Sequence, residues 1–204
     1  MVAQEHALAP PGRTETIVLI GAVANTLENE GIQGVLVPLV EQAWKSALME
    51  RKGFRWPQDA YMLTTRDTEP QAEAWMAQNW VSDPVARLDH LKAILPETMA
   101  TRLGTWIGAL RHIARFDNRQ RLEQLTVPAL VLWGSQDNMF PAADQAAVRA
   151  ALDAAVRAGK TRYVFKTYGR APLPDSGANE KDFGHNTHWG AFRTTAADIA
   201  AWVR

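Results

Sequence analysis

Two stretches hold residues whose types and spacing could move a proton. The first is "VPALVLWGSQDNMFP", residues 127–141, where Asp137 falls in a loop just past an apolar run. Open parallel α/β sheets gather their functional groups in such loops, at the carboxyl ends of strands. The second is "DFGHNTHWG", residues 182–190, with His185 directly after Gly184. A histidine working as a general base needs a carboxylate to fix its tautomer and hold its ring. Asp137 followed by a Gly-His loop is therefore a candidate acid–base pair. Taken singly, each residue has a plainer reading: aspartate shapes turns, and a lone loop histidine is most often surface. His185 and His188 also form an H-x-x-H pair. Asn186 and Thr187 are poor ligands, however, no Glu stands in a zincin arrangement, and the chain has no cysteine. On those grounds no metal and no cofactor are expected.

The elements that must position such a pair follow from periodicity and breakers. Residues 1–8 read as helix interior, stopped by Ala9-Pro10-Pro11-Gly12, since proline cannot donate to the ladder and glycine suits the exit turn. Ile17-Val18-Leu19-Ile20 then reads as a strand buried on both faces, as in a parallel sheet. From about Asn25 to Arg121 the pattern is helical with no convincing strand. Val35–Met49, Gln71–Trp80 and Pro96–Phe116 are the expected helices, separated by Trp56-Pro57, Asp83-Pro84 and Leu95-Pro96. Alternation of strand and helix then resumes. Val127–Gly134 is a strand, Ala142–Ala158 a helix with Gly159 at its exit, Arg162–Phe165 a strand, and Ala191–Val203 an amphipathic helix. Three zones result, 1–24, 25–121 and 122–204, and their order implies an α/β fold with parallel pairing.

Composition narrows the partners. Twenty-two basic residues balance twenty-two acidic ones in 204, so there is no electrostatic case for nucleic acid or an anionic membrane. No apolar run approaches the roughly eighteen residues that span a bilayer. Glu5 and His6 interrupt any signal-peptide core, and the expected location is the cytoplasm. Eight tryptophans call for large apolar surfaces that a core or a pocket must cover.

With these residues in view, the chain resembles the second half of an α/β-hydrolase. That family runs nucleophile, acid, histidine in chain order, and Asp137 precedes His185. The family's acid strand ends in a WGxxDxxxP pattern, which Trp133-Gly134-Ser135-Gln136-Asp137-Asn138-Met139-Phe140-Pro141 fits position by position. Gly184-His185, with Trp189 close behind, is similar to the family's base motif, and His188 is then a neighbour. The helical zone matches the cap that many members insert. The opening "MVAQEHALAPPGR" looks like the helix that follows the nucleophile elbow, which would place the nucleophile a few residues before Met1.

The resemblance implies a partial α/β-hydrolase fold, with parallel β-strands, flanking helices and an inserted helical cap. It implies His185 as base, Asp137 as its orienter, and an ester-like or related small apolar substrate. Trp75, Trp80 and Trp106 of the cap, with Met139 and Trp189, would then line the substrate pocket. Two departures stand out. None of Ser46, Ser82, Ser135 and Ser176 lies in a G-x-S-x-G context, so the chain is expected to lack its nucleophile and to be inactive alone. The segment "TYGRAPLPDSGANEKDFG" is also a long excursion before His185. The alternative is a non-catalytic binding module derived from a hydrolase. A complementary N-terminal segment or a second copy are the macromolecular partners left open.

Overall fold

The computed structural model describes residues 1–9, 14–36, 50, 52–55, 58–64, 66, 95–137, 139–169 and 192–204. In chain order its regular elements are α1 (Val2–Leu8), β1 (Ile17–Ile20), α2 (Leu103–Ile113), α3 (Arg119–Leu122), β2 (Ala129–Gly134), α4 (Ala142–Arg157), β3 (Tyr163–Tyr168) and α5 (Phe192–Trp202). A π-helical turn at Ile32–Leu36 and a 3-10 turn at Asp59–Met62 lie between β1 and α2. The described residues fall into two compact units. Stretches within Met1–Asn25 and Asp117–Arg204 form one, and stretches within Thr26–Trp80 and Leu88–Phe116 form the other.

The first unit is built on a parallel sheet of order β1-β2-β3. Ile17 pairs with Ala129 and Ile20 with Leu132, while Ala129 pairs with Tyr163 and Gly134 with Tyr168. Successive side chains on a strand point to opposite faces. Ile17, Leu19, Ala129 and Val131 therefore share one core with Ala7 of α1, Leu122 of α3, and Val148 and Leu152 of α4. Leu130, Leu132 and Tyr168 face the other way, against Val18, Ile20 and the α5 residues Ile199 and Trp202. Burial on both faces explains why the strands read as unbroken apolar runs. Each Leu or Val so buried contributes roughly 1.5–3 kcal/mol.

The alanine-rich α4 has high helix propensity and stops as its sequence predicts. Gly159 takes φ 68, in the left-handed region. Its N–H donates to Val156 O at 2.9 Å, and the Lys160 N–H donates to Ala155 O at 3.0 Å. Those two bonds are the Schellman closure of a helix. β3 runs to Tyr168 rather than ending at Phe165 as the sequence suggests. The extra residues Lys166, Thr167 and Tyr168 continue the ladder with Leu132, Trp133 and Gly134.

In the second unit, the helix expected over 96–116 is interrupted. Backbone is helical at 95–100, then breaks at Thr101 and Arg102. Arg102 forms an isolated antiparallel bridge with Thr64, and the Leu103 N–H donates to Leu63 O at 2.8 Å. That bond satisfies one of the donors a helix start leaves open, so α2 begins anew at Leu103. The other end is closed from a distance. Thr26 Oγ1 donates to Ile113 O, and Gln33 Nε2 donates to Ala114 O at 2.8 Å and to Thr26 O at 3.0 Å. Leu103 and Ile107 form a small core with Phe54, Leu63 and Leu110. The helix expected over 35–49 lies outside the described residues except for 35 and 36, which end the π-helical turn, and the one expected over 71–80 lies wholly outside them. Among the described residues no helix is long and apolar enough to cross a membrane.

Candidate active site

β2 delivers Asp137. The strand lies between β1 and β3 and ends at Gly134, and the Ser135 N–H extends the ladder by donating to Tyr168 O at 2.8 Å. The Asp137 N–H then donates to Gly134 O at 3.0 Å, which turns the chain sharply. Asp137 is only 3% exposed. One carboxylate oxygen, Oδ1, accepts the N–H of Met139 at 3.0 Å and of Phe140 at 2.9 Å. Trp133 Nε1 donates to Phe140 O at 3.1 Å, fastening the far side of the loop before α4 begins. The turn-shaping role of this aspartate is thus real, and it is carried by Oδ1. A carboxyl group so held at a strand's carboxyl end has a defined direction, which a positioning residue requires.

A second construction stands beside it. Gly21, at φ 51, ends β1 and starts a stretch, Gly21–Asn25, that is entirely buried. Buried carbonyls need donors, and here they come from distant residues. Gln145 Nε2 donates to Ala22 O at 2.8 Å, Gln4 Nε2 to Val23 O at 2.9 Å, and the Asn118 N–H to Ala24 O at 2.7 Å. Gln145 Nε2 also reaches Phe140 O at 3.4 Å, tying the exit of β1 to the loop of Asp137. A cavity of about 180 Å³ opens here, lined by Met1, Ala3, Ile20, Gly21, Ala22 and Phe140 among others.

Sequence reasoning did not single out Gln4, Gln145 or Asn118, all at most 5% exposed. For Gln145 a signal existed. It shares the α4 stripe with the buried Val148 and Leu152, and a polar residue on an apolar helical stripe asks what it bonds. Of the expected site residues, Asp137 and Met139 stand together in this loop, with Met139 half-buried. Trp106 lies half-buried on α2, in the second unit. His185, Trp75, Trp80 and Trp189 lie outside the described residues. Among the described residues no group of three His, Asp or Glu could hold a metal ion.

No protein-family model matches the chain. Over 100 residues, 48% of its length, it is 32% identical to the biotin biosynthesis bifunctional protein BioHC of Teredinibacter turnerae, and that match is 17% of the relative. In three dimensions it is similar to a hydrolase from Pseudomonas aeruginosa, with a TM-score of 0.61 and 17% identity. It is likewise similar to an alpha/beta hydrolase enzyme from a Medee basin deep-sea metagenome library, with a TM-score of 0.56 and 16% identity. Both superpositions take in 99% of this chain and 60% of the other. The chain thus spans 60% of these two structures and matches 17% of the curated relative. At these identities the likeness is one of fold: a parallel sheet flanked by helices, corresponding to part of the larger domain.

Proposed function

We propose, from the likeness of its fold to α/β-hydrolases, that Asp137 and His185 are the acid and base of a hydrolytic triad whose nucleophile lies outside these 204 residues. In this reading the His185 imidazole takes the proton of the nucleophile as it attacks an ester-like carbonyl. It then returns that proton to the departing alkoxide, and repeats the cycle with water to release the acid. Asp137 holds the proton-bearing ring nitrogen and stabilises the imidazolium that forms. Oδ1 accepts the backbone N–H groups of Met139 and Phe140, which hold the carboxylate in place. The substrate is a small, largely apolar ester or related molecule, with Trp75, Trp80, Trp106, Met139 and Trp189 as proposed contributors to its binding surface.

The observation that carries this reading is the placement of Asp137. It is buried at the carboxyl end of β2, aimed by Met139 and Phe140, with Gly184-His185 following in the chain order the family uses. The cavity lined by Ile20, Gly21 and Phe140 supports a reaction centre beside that loop. Met1, which in the resemblance follows the nucleophile elbow, lines the same cavity.

Two measurements test the proposal. The nucleotides preceding Met1 are expected to encode a strand ending in a G-x-S-x-G or G-x-D-x-G turn; their failure to do so removes its main support. The purified 204-residue chain is expected to leave p-nitrophenyl esters at the background rate. Turnover that disappears in His185→Ala would put the nucleophile inside the chain and contradict the assignment.

A further inference from the structure

Phe140 is held from two sides. Its N–H donates to Asp137 Oδ1 at 2.9 Å, and the Met139 N–H joins it on the same oxygen at 3.0 Å. Its carbonyl accepts Trp133 Nε1 at 3.1 Å and Gln145 Nε2 at 3.4 Å. The next residue, Pro141, caps α4 with φ −67. A proline has no N–H and a fixed φ, so the loop leaves for the helix with little freedom of its own. Gln145 stands one turn further on, and its backbone N–H donates to Pro141 O at 3.2 Å. Trp133 and Gln145 thus reach the Phe140 carbonyl from the strand that enters the loop and from the helix that leaves it.

The side chain of Gln145 is unusual for its place. It is 2% exposed, and its Nε2 makes a second, shorter bond to Ala22 O at 2.8 Å. Both neighbours are carbonyls, so the amide must turn its nitrogen toward them. Oε1 is buried, and among the described residues it has no hydrogen-bond partner. A buried acceptor left unpaired is costly, and an apolar side chain of similar length would avoid that cost. Packing does not ask for an amide either, since Val148, Ala151 and Leu152 on the same inward stripe are apolar. What glutamine supplies there is a pair of donors, one for the exit of β1 and one for the loop of the acid. Ala22 and Phe140 both line the cavity described above. One amide therefore ties two of its walls together.

We infer that Gln145 is a positioning residue for the acid: through Phe140 it keeps the Asp137 carboxylate in its seat, and it fastens that seat to the backbone leaving β1. The inference rests on the acid–base reading above. Gln145 acts through Phe140 and not on the substrate.

The test is a set of ¹H–¹⁵N spectra and amide-exchange rates of the 204-residue chain as wild type, Asp137→Asn and Gln145→Met, with Tm measured for each. In Asp137→Asn the Met139 and Phe140 amide protons should move upfield, because their charged acceptor is lost. In Gln145→Met the same two signals are expected to move the same way. Exchange at the Phe140 amide should quicken about fivefold or more, the factor that one ordinary hydrogen bond represents. Tm should change little, because the unpaired Oε1 is removed together with the donors. Should Gln145→Met fail to fold, the wild type supplies the readout: the Gln145 side-chain NH₂ protons should exchange slowly with water and show NOEs to Ala22 and Phe140. A lowered Tm with the Met139 and Phe140 signals unmoved makes Gln145 structural only and overturns the inference. Side-chain protons exchanging as in free glutamine overturn it too. The acid–base reading fails separately, when the His185 ring does not respond to Asp137→Asn whatever the Gln145 variant shows, and this inference then falls with it.

Discussion

The two compact units satisfy their backbones differently. In the first, three parallel strands exchange a continuous ladder, and the irregular stretch after β1 is finished by Gln4, Gln145 and Asn118, above and below cores that cover both faces. In the second, among the described residues, a small cluster around Leu103 and Ile107 is accompanied by side-chain bonds from Thr26 and Gln33 to the end of α2 and the turn after it. The difference teaches something about cooperativity. Truncating a side chain in the first unit is felt across a shared core, whereas truncating one in the second should loosen mainly a helix terminus. Among the described residues, the first unit, which holds Asp137, is the one with a core on both faces of a sheet, and the proposed acid–base pair would draw its rigidity from there.

The largest effect expected is from the shared core. Leu152→Ala, at a fully buried position of α4, should cost about 2–5 kcal/mol by urea unfolding; a cost under about 1 kcal/mol would mean that this core is not tightly packed. Gly169→Ala should come next, near 1–3 kcal/mol, because the new methyl meets Ser135. Adding Ser135→Gly should recover most of that loss, and no recovery would put the strain elsewhere. Gln33→Ala removes donors to Ala114 O and Thr26 O and should cost about 1 kcal/mol, with faster amide exchange near the end of α2 and none in the sheet. If exchange in β2 accelerates equally, the contrast between the units is wrong.

The smallest effect is electrostatic. Arg121 NH1 lies 2.6 Å from Glu5 Oε2, both side chains being about half exposed, and Asn118 Nδ2 donates to Glu5 Oε1 at 2.7 Å. The bond from Arg121, foremost, lowers the Glu5 pKa in the folded state. Its stabilisation is therefore present above the ordinary carboxylate pKa and is lost as pH falls through the lowered folded value. At this exposure it should be worth under about 1 kcal/mol. Arg121→Met should flatten the acid limb of a Tm against pH curve, most visibly at low salt; an unchanged limb would show that the pair contributes nothing.

How much of this was legible depended on range. β1, β2 and α4 announce themselves because their signals are local: runs such as Ile17–Ile20 and Ala129–Leu132, an alanine stretch, and Gly159 to end it. Asp137 was legible for the same reason, since its loop immediately follows the strand that aims it. The break at Arg102 was not, because its cause is a bridge to Thr64 that helical spacing does not encode. Nor were the tasks of Gln145 and Gln4, whose carbonyl partners stand 123 and 19 residues away. The added length of β3 likewise comes from its partner strand and from Asp198, not from its own mixed pattern.

The central claim is that Asp137 holds the ring of His185. Long-range ¹⁵N–¹H spectra of the 204-residue chain test it most directly, because they report which ring nitrogen carries the proton in the neutral form. The account predicts a proton on Nδ1, strongly hydrogen-bonded, that Asp137→Asn displaces or weakens. A ring protonated on Nε2, with a spectrum that Asp137→Asn leaves unchanged, would contradict it.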